Sequence, residues 1–160
     1  MFLLLSIGLA AILVAITVID LRSYIIPDGF NALLLGVGVL AALQLRGVAL
    51  MIVAFEAVAC FGILTALSLA YRWARSQTGL GGGDIKLLTA ATAWVGLAQI
   101  PWVVLIASMS GLLFAVALHV QGRDIIAGSR IAFGPHLALG LAATWFVQPF
   151  TGTLTGGVWP

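Results

Sequence analysis

Apolar residues run in six long blocks along the chain, separated by short polar stretches. The blocks cover 2–19, 30–45, 48–71, 85–100, 101–120 and 131–150. A helix needs roughly 20 apolar residues to cross the ~30 Å hydrocarbon core of a bilayer. Four blocks reach or approach that length. The second and fourth are shorter, at about 16 residues, so their ends are expected near an interface or in a wet cavity. The connections fall at 20–29, 46–47, 72–84, 99–101 and 121–130, with every odd one long and every even one tiny. No internal repeat is visible, and the only low-complexity segment is a Gly/Thr-rich tail at 151–157. The pattern predicts an all-α fold: a polytopic membrane bundle of six transmembrane helices forming one integral-membrane domain over 1–160, with no room for a soluble domain.

Composition agrees with this reading. Of 160 residues, 62% are hydrophobic and 8% charged, with a mean hydropathy of +1.21. Soluble domains run nearer 45–50% apolar and about 25% charged. A soluble enzyme, a disordered chain and a nucleic-acid binder are thereby excluded. The pI near 9.2 rests on a net charge of only +2 and implies no anionic partner. The single cysteine, Cys60, excludes a disulfide framework and reads as a small core hydrophobe. Six of the seven basic residues (Arg22, Arg72, Arg75, Lys86, Arg123 and Arg130) fall in or beside the long loops, and only Arg46 lies on the other side. By the positive-inside rule the long loops are cytoplasmic and both termini face out. The first block is not preceded by basic residues, as a signal peptide would be, so it reads as an uncleaved span.

In such a chain the rare ionisable residues carry the information. The acids are Asp20, Asp28, Glu56, Asp84 and Asp124. Asp20 ends the first span and Asp84 begins the fourth, so both are expected at the cytoplasmic edge. Four glycines occupy positions 79–83 just before Asp84. Glycine lets another backbone approach closely, so an extended peptide could lie alongside. The plainer alternatives are a flexible loop with Asp84 as N-cap, and a merely solvated Asp20. Asp28, after Pro27, reads as the cap of the second span. Two carboxylates at one depth also suggest general acid/base work, in which a close pair shares one proton.

Three stretches then become recognisable together. They are DLRSYIIPD at 20–28, GLGGGDIKLL at 79–88 and AFGPHLALG at 132–140. In order and spacing they resemble the type IV prepilin peptidases, membrane aspartic proteases with a Gly-x-Gly-Asp motif. The resemblance implies that Asp20 and Asp84 are the catalytic aspartates. It also implies that Gly81, Gly82 and Gly83 bind substrate, and that Pro27, Asp28, Lys86, Phe133, Gly134 and Pro135 support the site. The implied activity is removal of the short basic leader of prepilins or pseudopilins at the cytoplasmic face of the inner (plasma) membrane, in type IV pilus assembly or secretion. It needs no metal or cofactor, and the expected partners are those substrates and the lipid bilayer, with no nucleic acid. Many members also carry a cytoplasmic domain with paired Cys-x-x-Cys motifs and methylate the new N-terminus. With one cysteine and no such domain, this sequence looks like the short stand-alone form, and peptidase activity alone is expected. Ala132 replaces a proline of the family pattern and His136 an aromatic residue. His136 reads as a hydrogen-bonded packing histidine or as a third titrating group.

The helix ends suggest that Asp84, at a positive N-terminus, is the base and Asp20, at a C-terminus, the acid. Glu56, about nine residues into the third span, is expected to be protonated or bonded to a hydroxyl such as Thr17 or Ser110, unless it anchors substrate or a second copy. Lys86 should sit off the face of Asp84 and either snorkel to headgroups or hold the loop. His119 and the loop arginines read as interface residues. The rival readings are an archaeal preflagellin-type peptidase, which shares the catalytic pair, a presenilin-like protease, whose Tyr-Asp and Pro-Ala-Leu motifs are missing here, and a small proton-coupled carrier using Asp20, Glu56 and Asp84.

Overall fold

Each apolar block becomes a helix in the computed structural model, which describes residues 1–75, 79–121 and 132–151, for 149–151 the backbone alone. The helices are α1 (Phe2–Ser23), α2 (Asp28–Ala41), α3 (Leu50–Arg75), α4 (Gly82–Val95), α5 (Ile100–Val120) and α6 (Gly134–Thr151). A π-helical turn, Ala42–Arg46, prolongs α2, and a 3-10 turn, Leu97–Gln99, joins α4 to α5. No strand occurs among the described residues. Arg123, Asp124, Arg130 and the 152–157 part of the Gly/Thr-rich tail lie outside them. Among the described residues, four helical stretches are long and apolar enough to cross a membrane: Phe2–Ser23, Asp28–Arg46, Leu50–Arg75 and Leu97–Val120.

The block at 85–100 departs most from expectation. Its helix, α4, has 14 residues and ends at Val95, a length of about 21 Å at 1.5 Å per residue. Gly96 stops it with φ 84°, a backbone conformation that suits glycine, and its N–H closes on the Thr92 carbonyl at 2.7 Å. The Arg46 guanidinium supplies a second stop. Its Nη1 donates to the Thr92 and Ala93 carbonyls at 3.1 and 3.4 Å, satisfying acceptors that a helix end leaves open. Arg46 Nη2 meanwhile donates to Glu56 Oε1 and Oε2 at 3.0 and 2.8 Å. The Leu97 N–H donates to the same carboxylate at 3.2 Å. Glu56 is therefore paired with Arg46, not with Thr17 or Ser110 as the sequence led us to expect. An acid and a base each isolated among apolar residues are far less costly to bury together.

Short as it is, α4 is the axis of the fold. It packs against α2, α3 and α6 and touches α5. Residues 90–95 are all buried, as are Ile85, Leu87 and Leu88. Of the surrounding helices α3 buries least, hiding only Val53 and Cys60 of its 26 residues. Large apolar side chains such as Leu3, Phe55, Met51 and Leu112 stand on the outside, as a lipid-facing surface requires. At the centre Trp94 meets Trp145 edge-on at 5.3 Å. Their indole N–H groups donate to the Leu34 carbonyl at 2.8 Å and to Ser6 Oγ at 2.9 Å. Gly38 makes room for the Trp94 ring, and Gly140 lies against the Val103 carbonyl, so α5 and α6 close tightly. Small residues are the usual means of close helix contact in a membrane.

Candidate active site

The first half of the site is the end of α1. Asp20 sits in its last turn and is 5% exposed. Tyr24 follows with φ 54°, and its N–H caps the Asp20 carbonyl at 2.9 Å. This left-handed residue turns the chain, which runs on through Ile25 and Ile26 to Pro27. Pro27 is the N-cap of α2, in an extended conformation with φ −67° and ψ 136°. The sequence expectation that Asp28 caps α2 is thus corrected. Asp28 lies in the first turn, and its side chain makes an ion pair with Lys86 at 2.6 Å. Lys86 accordingly ties the α1–α2 connection to α4, the loop-holding role rather than the headgroup one.

The second half is the start of α4. Gly81 is the N-cap, so Asp84 is the third residue of the helix and not its cap. The Asp84 carboxylate folds back toward Gly81 and takes support from its backbone N–H, as acidic residues at this position commonly do. Gly83 rests against Ile26, whose Cβ would lie 3.3 Å from a side chain placed there. Nothing lies within 4 Å of the corresponding position at Gly82. The glycine run therefore has two uses: one face admits Ile26, while Gly82 stays open.

The start of α6 closes the third side. The Gly134 N–H donates to Asp20 Oδ2 at 2.9 Å across 114 residues of sequence. A Cβ on Gly134 would stand 2.6 Å from that oxygen, so only glycine lets the backbone reach the carboxylate. Pro135 occupies the second helical position, where its missing N–H costs nothing. His136 leaves the carboxylates to themselves. Its Nδ1 lies 3.0 Å from Ser110 Oγ, and its ring packs against Phe114 and Phe133.

These three sides enclose a cavity of about 860 Å³. Asp20, Asp28, Gly81, Gly82, Gly83, Asp84, Lys86 and Phe133 line it, with Tyr24 and Ala132. The charges of Asp20 and Asp84 are close enough to act on each other. A space of this size takes a short peptide segment. Pro27, Gly134 and Pro135 shape its walls from behind rather than lining it. Glu56 and Arg46 belong to the opposite end of α4.

The sequence profile of the Type IV leader peptidase family matches residues 7–116, a stretch that contains both aspartates and the glycine run. The chain belongs to that family. It is 38% identical over 125 residues to a prepilin leader peptidase/N-methyltransferase of Escherichia coli (strain K12), covering 78% of this chain and 55% of that protein. It is 32% identical over 131 residues to the prepilin leader peptidase/N-methyltransferase of Neisseria gonorrhoeae, covering 82% and 44%. A protein of the same name from Burkholderia pseudomallei (strain K96243) is 35% identical over 144 residues, covering 89% and 46%. The chain spans about half the length of the curated relatives it matches. No solved structure matches it.

For this leader-peptidase-family chain, sequence reasoning overlooked two features. One is the Gly134 N–H on Asp20, although glycine followed by proline at a helix start was the visible signal. The other is the Arg46–Glu56 pair, signalled by a stray base on the far side and a lone acid within a span.

Proposed function

We propose that the protein is a membrane-embedded aspartic endopeptidase that removes the basic leader of prepilins or pseudopilins, with Asp20 and Asp84 as its catalytic pair. The observation that carries this reading is the meeting of the two carboxylates, from separate helices, in one cavity beside the glycine-rich start of α4. Family membership and the names of the relatives support the same chemistry. The substrate backbone lies extended along Gly81–Gly83, and Gly82 leaves it room. One carboxylate takes a proton from a water held between the pair, and that water attacks the scissile carbonyl. The other carboxyl gives its proton to the carbonyl oxygen, and the amide nitrogen leaves protonated.

Helix ends alone made Asp84 the base, because α1 points its negative end at Asp20. The α6 N-terminus offsets this: an N–H bond to a carboxylate favours its charged form. Asp84 has like support from Gly81, but its burial and the neighbouring Asp20 charge favour a proton on it, so Asp84 carries the shared proton and Asp20 activates water. Infrared carboxyl bands distinguish the two. The protonated band should survive in Asp20→Asn and vanish in Asp84→Asn, and the opposite result returns the base role to Asp84.

The site faces the cytoplasm of a plasma-membrane protein on this reading. Arg22, Arg72, Arg75 and Lys86 all sit in the helix turns at the Asp20/Asp84 end, whereas Arg46 sits at the other. A proton-coupled carrier is disfavoured because Glu56 is committed to Arg46 and does not continue a path from the aspartates. The deciding experiment co-expresses a panel of prepilins with wild type, Asp20→Asn and Asp84→Asn, with membrane insertion checked for each. Cleavage by wild type alone is expected, and cleavage surviving either substitution rejects the two-carboxylate mechanism.

A further inference from the structure

The N–H that holds Asp20 belongs to the first residue of α6. The first large side chain that α6 buries is Leu137, so the turn carrying Gly134 must be fixed by other means. His136 supplies one. It stands on Ser110 and Gly111 of α5. The Ser110 hydroxyl has a single hydrogen and donates it to the Ala107 carbonyl at 2.9 Å. Toward His136 Nδ1, 3.0 Å away, the hydroxyl oxygen is therefore the acceptor, and Nδ1 carries a hydrogen. A bond of this kind fixes direction as well as distance. Beside it the His136 and Phe133 rings rest together on Gly111. A Cβ there would stand 3.6 Å from His136 Cδ2 and 3.7 Å from Phe133 Cε2. The two rings tilt against each other with centroids 6.3 Å apart. Phe133 has two tasks. Its carbonyl accepts from the His136 and Leu137 N–H groups at 3.1 Å each, which starts the helix, and its side chain lines the catalytic cavity. Among the described residues, the next polar side-chain bonds from α6 to the other helices come from Trp145 and Gln148, more than two turns on.

We infer that His136 is a positioning residue for the aspartate pair. Its bond to Ser110 sets the first turn of α6, and that turn sets both the Gly134 N–H on Asp20 and the Phe133 ring in the cavity wall. The catalytic consequence rests on the peptidase reading of the cavity, whereas the coupling of His136 to Gly134 is measurable without a substrate. His136 acts through the backbone and not on the reacting atoms. Apolar contacts between α5 and α6 resist separation but oppose a small rotation or slide only weakly. The directional bond from Nδ1 is what opposes it, two residues from the N–H that must reach a carboxylate oxygen at 2.9 Å.

The test uses the full chain in a lipid bilayer, with carbon-13 at the phenylalanine carbonyls and nitrogen-15 in the glycines. Only a glycine that follows phenylalanine then gives a coupled amide signal in NMR, and these are Gly62 and Gly134. The Gly134 signal is the one that moves in Asp20→Asn. Gly62, with nothing within 4 Å of its Cβ position, serves as the internal control for the fold. Ser110→Ala and His136→Phe should each shift the Gly134 amide proton upfield and leave Gly62 in place. His136→Asn, whose amide nitrogen can take the place of Nδ1, should keep Gly134 near its wild-type position. A Gly134 signal unmoved in both Ser110→Ala and His136→Phe overturns the inference, whatever happens to cleavage. In the prepilin assay these two variants should lower kcat about 10-fold, a part of what a displacement of about 1 Å costs, with KM within about twofold. The double variant should be no worse than either single one, because all three lose the same bond. His136→Asn should restore most of the rate. An unchanged kcat alongside a displaced Gly134 signal also overturns the inference, and the peptidase reading stands. If wild type cuts nothing, the peptidase reading fails and takes the catalytic role of His136 with it, even where the Gly134 signal moves.

Discussion

A methyl group at Gly134 would meet Asp20 Oδ2 at 2.6 Å. Gly134→Ala must therefore move either the carboxylate or the start of α6, and both moves break the N–H bond. A displacement of about 1 Å at a reacting group costs on the order of 10²-fold. We expect leader cleavage to fall by that order, measured as initial rate in membranes with equal amounts of inserted protein. Gly82→Ala separates binding from folding, because its added methyl meets nothing in the free protein. Thermal stability should change by less than about 0.5 kcal/mol, as for an uncrowded surface site. Cleavage should nonetheless drop if a substrate strand lies there. Unchanged cleavage in Gly82→Ala would move the strand elsewhere. Both expectations turn on a single Cβ, which is why glycines carry so much of this site.

At the scale of elements, α4 matters because it holds Asp84 at one end and is clamped at the other. Removing one partner of a buried ion pair costs roughly 3–5 kcal/mol, since the other charge stays behind. Glu56→Ala should therefore destabilise the fold strongly, read as a lower midpoint of thermal aggregation in detergent. The joint change Arg46→Met with Glu56→Leu should recover much of that loss, although the α4 carbonyls lose their donor. The Asp28–Lys86 pair differs, with side chains 75% and 48% exposed. Such pairs are worth about 0–1 kcal/mol. Lys86→Met should leave the midpoint nearly unchanged. The six apolar blocks were legible in the sequence because lipid exposure demands continuous hydrophobicity. Where α4 stops was not legible, because its terminator is an arginine from the end of α2, brought there only by tertiary packing. Asp20 and Asp84 could be picked out by rarity and motif. The role of Gly134 could not, because a backbone N–H leaves no trace in composition.

For the molecule as a whole, every described base near the aspartates sits on helix turns at one end, and this makes orientation testable. With Cys60 changed to alanine, Ser23→Cys and Ala49→Cys place thiols at opposite ends of the bundle. A membrane-impermeant maleimide added to intact cells should label Ala49→Cys and spare Ser23→Cys, and the reverse pattern inverts the proposed topology. Cys60 itself is 2% exposed and packs toward the Leu88 carbonyl, so its removal should be tolerated.

The bond from Gly134 to Asp20 also bears on the order in which the chain is made. Asp20 leaves the ribosome early, and its hydrogen-bond donor follows 114 residues later. At about 5–20 residues per second, the first aspartate waits on the order of ten seconds for that partner. During that interval α1, α2 and α4 can already be in the bilayer with both carboxylates present. The hand that holds Asp20 in place arrives only with α6. A chain stalled in synthesis before residue 134 would thus carry both acids and the glycine run but no cradle, and on the peptidase reading it would stay idle until it was whole.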